Sequence, residues 1–387
     1  METGTCRNRG IFYTVKKATF EEQLESIREN HSYSLSMLHS ESDVYICGLS
    51  PYASEFLSFL INIGFKGSIT FVDDIAANQS FNNYPVVHFS SDLDFDSLFI
   101  ITSTLYLGRI FGLLKEKTRN IVYIGSLFLD GLKLPEISWY NYDHYYTRVR
   151  TVYDNLDSYA RLHDVLADGK SQRLLKNIVL FNLTYDLSYA EGMMCTESKP
   201  YLENFVCVGS DEVFIDGGGY EGDTLKDFLE VTKRNFCKYY LFEPDKEMLD
   251  KARCVSDDDR IVYAQYGLYT KNDSLKFTPT GYNNGFFSDE GMITIPVVSL
   301  DEHVNEKITM IKLDIEGLEM ECLVGAIKHL VEDRPKLAIS VYHKAGDVVD
   351  IYKFLDSNLT GYLYYLRVYS HSPISEIVLF AIPQNNE

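Results

Sequence analysis

The sequence predicts an α/β protein with two Rossmann-like domains, the second ending in an antiparallel hairpin. Three observations lead there. Apolar runs of strand length alternate with runs of helical spacing in two separate series, the pattern of parallel sheets covered by helices. A glycine-rich strand-to-helix junction, DGGGYEGDT (Asp216–Thr224), opens the second series. The chain has 387 residues, enough for two cores of ordinary size.

The elements follow in order. Residues 1–40 read as an N-terminal helical segment. A small Rossmann-like domain is expected over 41–134, with strands in DVYICG (Asp43–Gly48), SITFVDD (Ser68–Asp74), SLFIITS (Ser97–Ser103) and NIVYIGS (Asn120–Ser126). Its first helix, Pro51–Gly64, has proline near the start and glycine at the end, the usual asymmetry. Residues 135–203 are Tyr-rich and read as a helical connector. The last domain, 204–387, is expected to place strands at Val213–Asp216, Tyr239–Glu243, Ile261–Gly267, Met310–Ile315 and Leu337–His343. Helices at Thr224–Thr232, Lys246–Arg253, Glu319–Val331 and Asp347–Asp356 separate them. Tyr362–Val368 and Glu376–Ile382 then form the hairpin.

Composition narrows the function classes. The formal net charge is −20, from 56 acids against 36 bases, which repels nucleic-acid backbones and anionic lipid. Seven scattered cysteines with no C-x-x-C pair suggest neither a zinc site nor a disulfide framework, but reduced thiols in a cytoplasmic protein. No apolar signal segment opens the chain. The longest apolar stretch, Ser97–Leu114, contains Arg109 and reads as a strand and a helix rather than a membrane span.

Three groups of residues carry chemistry. In the glycine loop, Gly217, Gly219 and Gly222 match the G-x-G-x-x-G spacing of dinucleotide enzymes. Asp216, Glu221 and Asp223 crowd the same loop, however, and carboxylates repel a pyrophosphate. A ligand with a sulfonium and an ammonium, such as S-adenosylmethionine, is instead favoured by them. Glu243 lies 27 positions after Asp216, at the end of the next strand, where an acid accepts hydrogen bonds from ribose hydroxyls. The third group is IKLDIEGLEMECLVGA (Ile311–Ala326) with the following LAISVYH (Leu337–His343). Asp314 ends one strand and His343 the next, so neighbouring strands would set both above the ligand edge of the sheet. A histidine, a carboxylate or a bound divalent metal there would activate a hydroxyl for methyl transfer.

With these stretches in hand, residues of about 148–383 resemble the FkbM family of methyltransferases. The resemblance rests on EVFIDGGGYEGDT, YLFEPD, IPVVSLDEHV, TMIKLDIEGLEMECLVGA and RPKLAISVYHKAGDVVDI. It implies a class I methyltransferase sheet, S-adenosylmethionine as cofactor and O-methylation of sugars or other natural-product hydroxyls. The family's cofactor contacts carry over to Asp216, Gly217, Gly219 and Glu243, with Glu221 beside them. Its D-x-E-G-x-x-E block carries over to Asp314, Glu316 and Glu319. Where many members read G-A-x-x, this chain reads GGGY. The first domain resembles the small Rossmann-like domains found beside sugar-modifying enzymes; its loop CGLSPYASE (Cys47–Glu55) has only Gly48 where a phosphate loop would keep several glycines.

The expected protein is thus a cytoplasmic O-methyltransferase of polysaccharide biosynthesis. It would act on a sugar, glycan precursor or similar small polyol, and neither bind nucleic acid nor insert in a membrane. His343 and Asp314 are its expected catalytic pair. A magnesium or manganese ion on Asp314, Glu316 and Glu319 is the other way to activate the acceptor. An NAD(P)-dependent oxidoreductase, a catalytically inactive methyltransferase-fold binding module and N-methylation of an amino sugar stay open as alternatives, as does a homo-oligomer.

Overall fold

The computed structural model describes residues 43–129, 132–134, 142–278, 286–287 and 291–384, together with Glu22 and Leu38. The expected helical segment at 1–40 lies, apart from those two residues, outside the described ones. The chain forms two compact units. The first comprises the described residues up to 164 with 172–194 and 370–375; the second comprises 165–171, 195–369 and the described residues from 376.

In the first unit, β1 (Val44–Cys47), β2 (Ile69–Val72), β3 (Ser80–Phe81), β4 (Tyr84–Val87), β5 (Leu98–Ile101) and β6 (Ile121–Tyr123) form one sheet in the order β3-β4-β2-β1-β5-β6. All pairings are parallel except β3 with β4. The four expected strands are present. The short β3–β4 pair was not foreseen, because its residues are mostly polar or half-exposed. Thr102 Oγ1, after β5, donates to the carbonyls of Cys47 and Gly48 at 3.2 and 2.6 Å, which ties the first strand-to-helix loop to its neighbour.

In the second unit, a seven-stranded sheet runs β16-β17-β15-β14-β7-β8-β9. Its members are β7 (Val213–Gly217), β8 (Lys238–Phe242), β9 (Ile261–Ala264), β14 (Met310–Leu313), β15 (Lys336–Ser340), β16 (Tyr362–Val368) and β17 (Ile377–Pro383). The first five are parallel and the last two form the antiparallel hairpin. Chain order returns to the middle of the sheet after β9, so the strand direction of winding reverses between β7 and β14. That switch point is where open α/β sheets bind ligands. Beneath it lies an aromatic core in which Phe214 meets Phe228 at 5.1 Å and Tyr239 at 4.9 Å. Burying three such rings is worth more than their area alone, because edge-to-face pairs add to it.

Between β9 and β14 sits a small sheet, β10-β13-β11-β12, from Gly267–Leu268, Asp273–Thr278, Phe286–Phe287 and Ile293–Val298. It was not expected. Asp273–Thr278 alternates polar and apolar residues over a mostly exposed surface, a weak signal for a strand. The single run expected at Ile261–Gly267 accordingly splits, its last residue joining β10. The helix expected at Glu319–Val331 also splits, into Glu319–Val324 and Ile327–Glu332. At the break the Gly325 carbonyl accepts from Asp301 N–H at 3.0 Å and Ser299 Oγ–H at 2.8 Å. Among the described residues no helix is long and apolar enough to cross a membrane.

Candidate active site

The glycine loop leaves β7 and turns under a constraint set by its neighbour. Gly218 has φ +74°, and a Cβ there would stand 1.9 Å from the carbonyl oxygen of Asp314. No side chain fits, so backbone just past β14 and backbone from the loop pack directly against each other. The amides of Gly218 and Gly219 donate to the Phe242 carbonyl at 3.0 and 3.1 Å, which draws the loop toward the end of β8.

There Glu243 is buried, at 8% exposure. One carboxylate oxygen accepts from Tyr220 N–H and the other from Asp245 N–H, each at 2.9 Å. Each oxygen keeps a further lone pair for a hydroxyl donor. Burial pushes the Glu243 carboxyl up to about 7, against the pull of the two amides. The helix after the loop, Asp223–Val231, begins with an acid whose carboxylate accepts from Thr224 N–H at 2.8 Å. Its N-terminus is therefore already served by a negative group.

Asp216 differs from its expectation. It does not stand free at a strand end but is fully buried, with its oxygens accepting from Lys312 Nζ at 2.9 Å and Tyr239 Oη at 2.7 Å. The two residues are register partners on β7 and β14. Lys312 Nζ also donates to the carbonyls of Gly217 and Gly218 at 3.1 and 2.6 Å, so all three of its protons are used. Asp216 and Asp314 hold this ammonium charged despite its burial. The pair supports the loop from below, with Asp216 at zero exposure. Glu221 lies 2.7 Å from Lys251 Nζ in a pair whose members are 42% and 44% exposed. Two of the five expected cofactor contacts thus have other partners, while Gly217, Gly219 and Glu243 gather at one edge.

Lys312 was missed in the sequence. A charge inside the otherwise apolar MIKL run was its signal, because a lysine buried in a central strand needs a paired acid.

Asp314 and His343 do come together, since β14 and β15 are neighbours. Asp314 accepts from Tyr201 Oη at 2.8 Å and from Tyr342 Oη at 3.3 Å. His343 Nε2 lies 3.5 Å from Asp314 Oδ1 and 3.5 Å from Glu316 Oε2, and its Nδ1 lies 2.9 Å from Glu319 Oε1. Burial alone would lower the imidazole, but Glu319, Asp314 and Glu316 outweigh it and raise His343 to about 10. Burial also works to raise Asp314, yet His343 and Lys312 hold its carboxyl below the usual range. Glu316 is pushed up to about 7 by burial, as is Glu376 at the start of β17. Glu319 is 1% exposed and accepts from the amides of Ile315 and Gly317 at 2.9 and 3.4 Å, clamping the turn between them.

Tyr201 and Glu376 escaped the sequence reading. Each comes from a segment far along the chain, and nothing in their own surroundings marks them. Tyr201, Tyr220, Glu316 and Glu376 all have left-handed backbone, with φ of +63, +44, +54 and +52°. Non-glycine residues persist there only when their surroundings dictate it, and such strain gathers at functional sites.

Residues 216–364 match the family model described as Methyltransferase FkbM domain. Over these residues the chain is similar to FkbM methyltransferase domains. The match is narrower than the expected 148–383 and contains every candidate site residue named from the sequence, from Asp216 to His343. Tyr201, which holds Asp314, lies outside the matched residues. A solved structure, the methyltransferase FkbM from Methylobacillus flagellatus KT, is similar over 98% of this chain and 100% of its own, with TM-score 0.68 and 19% identity. At that identity the likeness shows the fold, and it extends beyond residues 216–364 to nearly the whole chain. No curated protein matches the chain significantly.

Proposed function

We propose that the protein is an S-adenosylmethionine-dependent methyltransferase acting on a hydroxyl of a sugar, glycan precursor or similar small polyol. The observation that carries this reading is Glu243: a buried carboxylate beside the glycine loop, with one lone pair free on each oxygen. That donor-hungry pair suits the two hydroxyls of a ribose. The carboxylate of Asp223 at the helix start favours a cationic ligand over a pyrophosphate. When bound, S-adenosylmethionine supplies a methyl group activated by a sulfonium. Gly217, Gly219 and Glu243 are the residues that would hold it.

Asp314 and His343 then face the acceptor. Asp314, ionised and fixed by two phenols, accepts the hydroxyl proton's hydrogen bond and orients the oxygen. His343, raised to about 10, already carries its proton at neutral pH and holds Asp314 ionised rather than taking the acceptor's proton itself. A divalent ion such as magnesium or manganese on Asp314 with Glu316 or Glu319 is a further source of help that suits the same edge. The acids and the charge of −20 favour a neutral or cationic acceptor and disfavour nucleic acid. An amino sugar methylated on nitrogen meets the same electrostatic requirement. Reduced thiols agree with a cytoplasmic setting, and a sugar acceptor with a role in polysaccharide biosynthesis.

The reading is tested by incubating the full chain with methyl-labelled S-adenosylmethionine and fractionated cell extract. Label is expected in small polyols or glycan precursors. Label in RNA or DNA, or none in any fraction, would contradict it.

Cofactor affinity should also depend on pH through Glu243. A raised carboxyl pKa means that the free site is half protonated near pH 7 and must shed that proton to accept two hydroxyls. S-adenosylhomocysteine affinity is therefore expected to be full above pH 8. Below 7 it should fall by up to about tenfold per pH unit. Calorimetry between about pH 5.5 and 8.5 checks this, and Glu243→Gln should remove the dependence. A flat profile in the native protein would contradict it.

A further inference from the structure

Asp314, Glu319 and His343 each offer one ligating atom, and the three atoms lie within 4.8 Å of one another. A six-coordinate cation with bonds of about 2.1 Å sets adjacent ligands about 3.0 Å apart and opposite ligands about 4.2 Å apart. The span therefore needs a contraction of roughly 0.6 Å for an opposite pair and of up to about 1.8 Å for an adjacent one, within the reach of side-chain rotation.

A second observation is independent of that spacing. His343 Nε2 and Glu319 Oε2 are buried polar atoms without a hydrogen-bond partner. Their side chains are 9% and 1% exposed. Buried polar groups are almost always satisfied, and two orphans in one constellation mark a ligand that satisfies them. The imidazole is also already aimed. Nδ1 is engaged by Glu319 Oε1 at 2.9 Å, and Nε2 is left facing Asp314 Oδ1 and Glu316 Oε2. A carboxylate that fixes one ring nitrogen so that the other can ligate is the common outer shell of metal-binding histidines. Finally, three carboxylates stand around a single imidazole, so a bound cation offsets charge that the protein itself leaves uncompensated.

We propose that Asp314, Glu319 and His343 form a divalent-cation site, with Asp314 and His343 Nε2 as ligands, Glu319 both ligand and orienter, and Glu316 at its rim. One nitrogen with carboxylate oxygens suits manganese or a similar transition ion better than magnesium, which prefers oxygen alone. The proposal alters the ligand set expected from the sequence: His343 joins and Glu316 moves to the edge. An ion there acts as a Lewis acid on an oxygen brought to Asp314, which deepens the reading of this edge as the acceptor side.

The test uses the full chain and manganese itself. Titration followed by electron paramagnetic resonance is expected to show one bound ion per chain, with pulsed spectra carrying modulation from a directly coordinated imidazole nitrogen. Asp314→Asn and His343→Ala should each weaken binding by at least about tenfold. No bound manganese at about 1 mM would overturn the proposal, and so would bound manganese without nitrogen modulation in the native protein, a result that needs no variant to fold. S-adenosylhomocysteine binding measured on the same sample separates the two readings. Cofactor binding without metal binding overturns this proposal alone.

Discussion

Asp314→Asn is expected to lower methyl transfer by ~100- to 10,000-fold, the range for losing a positioned proton-accepting group. S-adenosylhomocysteine should bind almost as before. The substitution keeps the shape of the side chain and removes only its charge. An amide cannot take up the acceptor proton, and it offers one oxygen where the carboxylate offers two to Tyr201, Tyr342 and the substrate. His343→Ala should lower transfer by a smaller factor, because the protonated imidazole acts by holding Asp314 ionised. Tyr201→Phe should lower kcat by a smaller factor with little change in cofactor affinity, because it acts through Asp314. The check is initial-rate transfer of labelled methyl on the acceptor found by fractionation. Near-native rates for both Asp314→Asn and His343→Ala would mean that the acceptor binds elsewhere.

Lys312→Ala carries the largest expected effect on stability. Removing one member of a buried ion pair leaves the other charged and alone, at a cost of about 3–5 kcal/mol. Here Asp216 would be stranded at zero exposure, and the carbonyls of Gly217 and Gly218 would lose their donor. A fall in Tm of roughly 10 °C is expected, with loss of cofactor binding as the glycine loop relaxes. Asp216→Ala should be destabilising for the reciprocal reason, rather than a mild change confined to cofactor affinity. Thermal unfolding of the two single variants and the double variant forms a cycle. The double variant should cost clearly less than the sum of the singles. Additive, small losses would show that the pair does not support the loop.

Much of the candidate site's placement was legible because class I sheets put strand ends at fixed points of a linear pattern. Glu243 is found from its distance to the glycine loop and its place after an apolar run. Asp314 and His343 are found because consecutive strands on the same side of a switch point lie next to each other, and the structure pairs β14 with β15. What the pattern does not encode is which polar atoms meet across the sheet. Asp216 and Glu243 look alike in sequence, each an acid near a strand end. Register puts Asp216 opposite Lys312 and buries it, while Glu243 sits one residue past β8. Tyr201 and Asp314 are 113 residues apart, and only the fold brings a phenol to that carboxylate. The small sheet from β10 to β13 was illegible for another reason. Two of its strands have two residues each and Asp273–Thr278 is mostly exposed, so neither hydrophobic period nor turn chemistry separates them from loop.

The central claim is that the edge formed by Gly217, Gly219 and Glu243 binds S-adenosylmethionine and not a dinucleotide. Calorimetric titration of S-adenosylhomocysteine and of NADH into the native chain and Glu243→Ala tests it most directly. The account predicts saturable S-adenosylhomocysteine binding, weakened ten- to a hundredfold, or about 1.5–3 kcal/mol, in Glu243→Ala, with no binding of NADH at that edge. Tight NADH binding that is lost in Glu243→Ala, with no heat from S-adenosylhomocysteine, would contradict it.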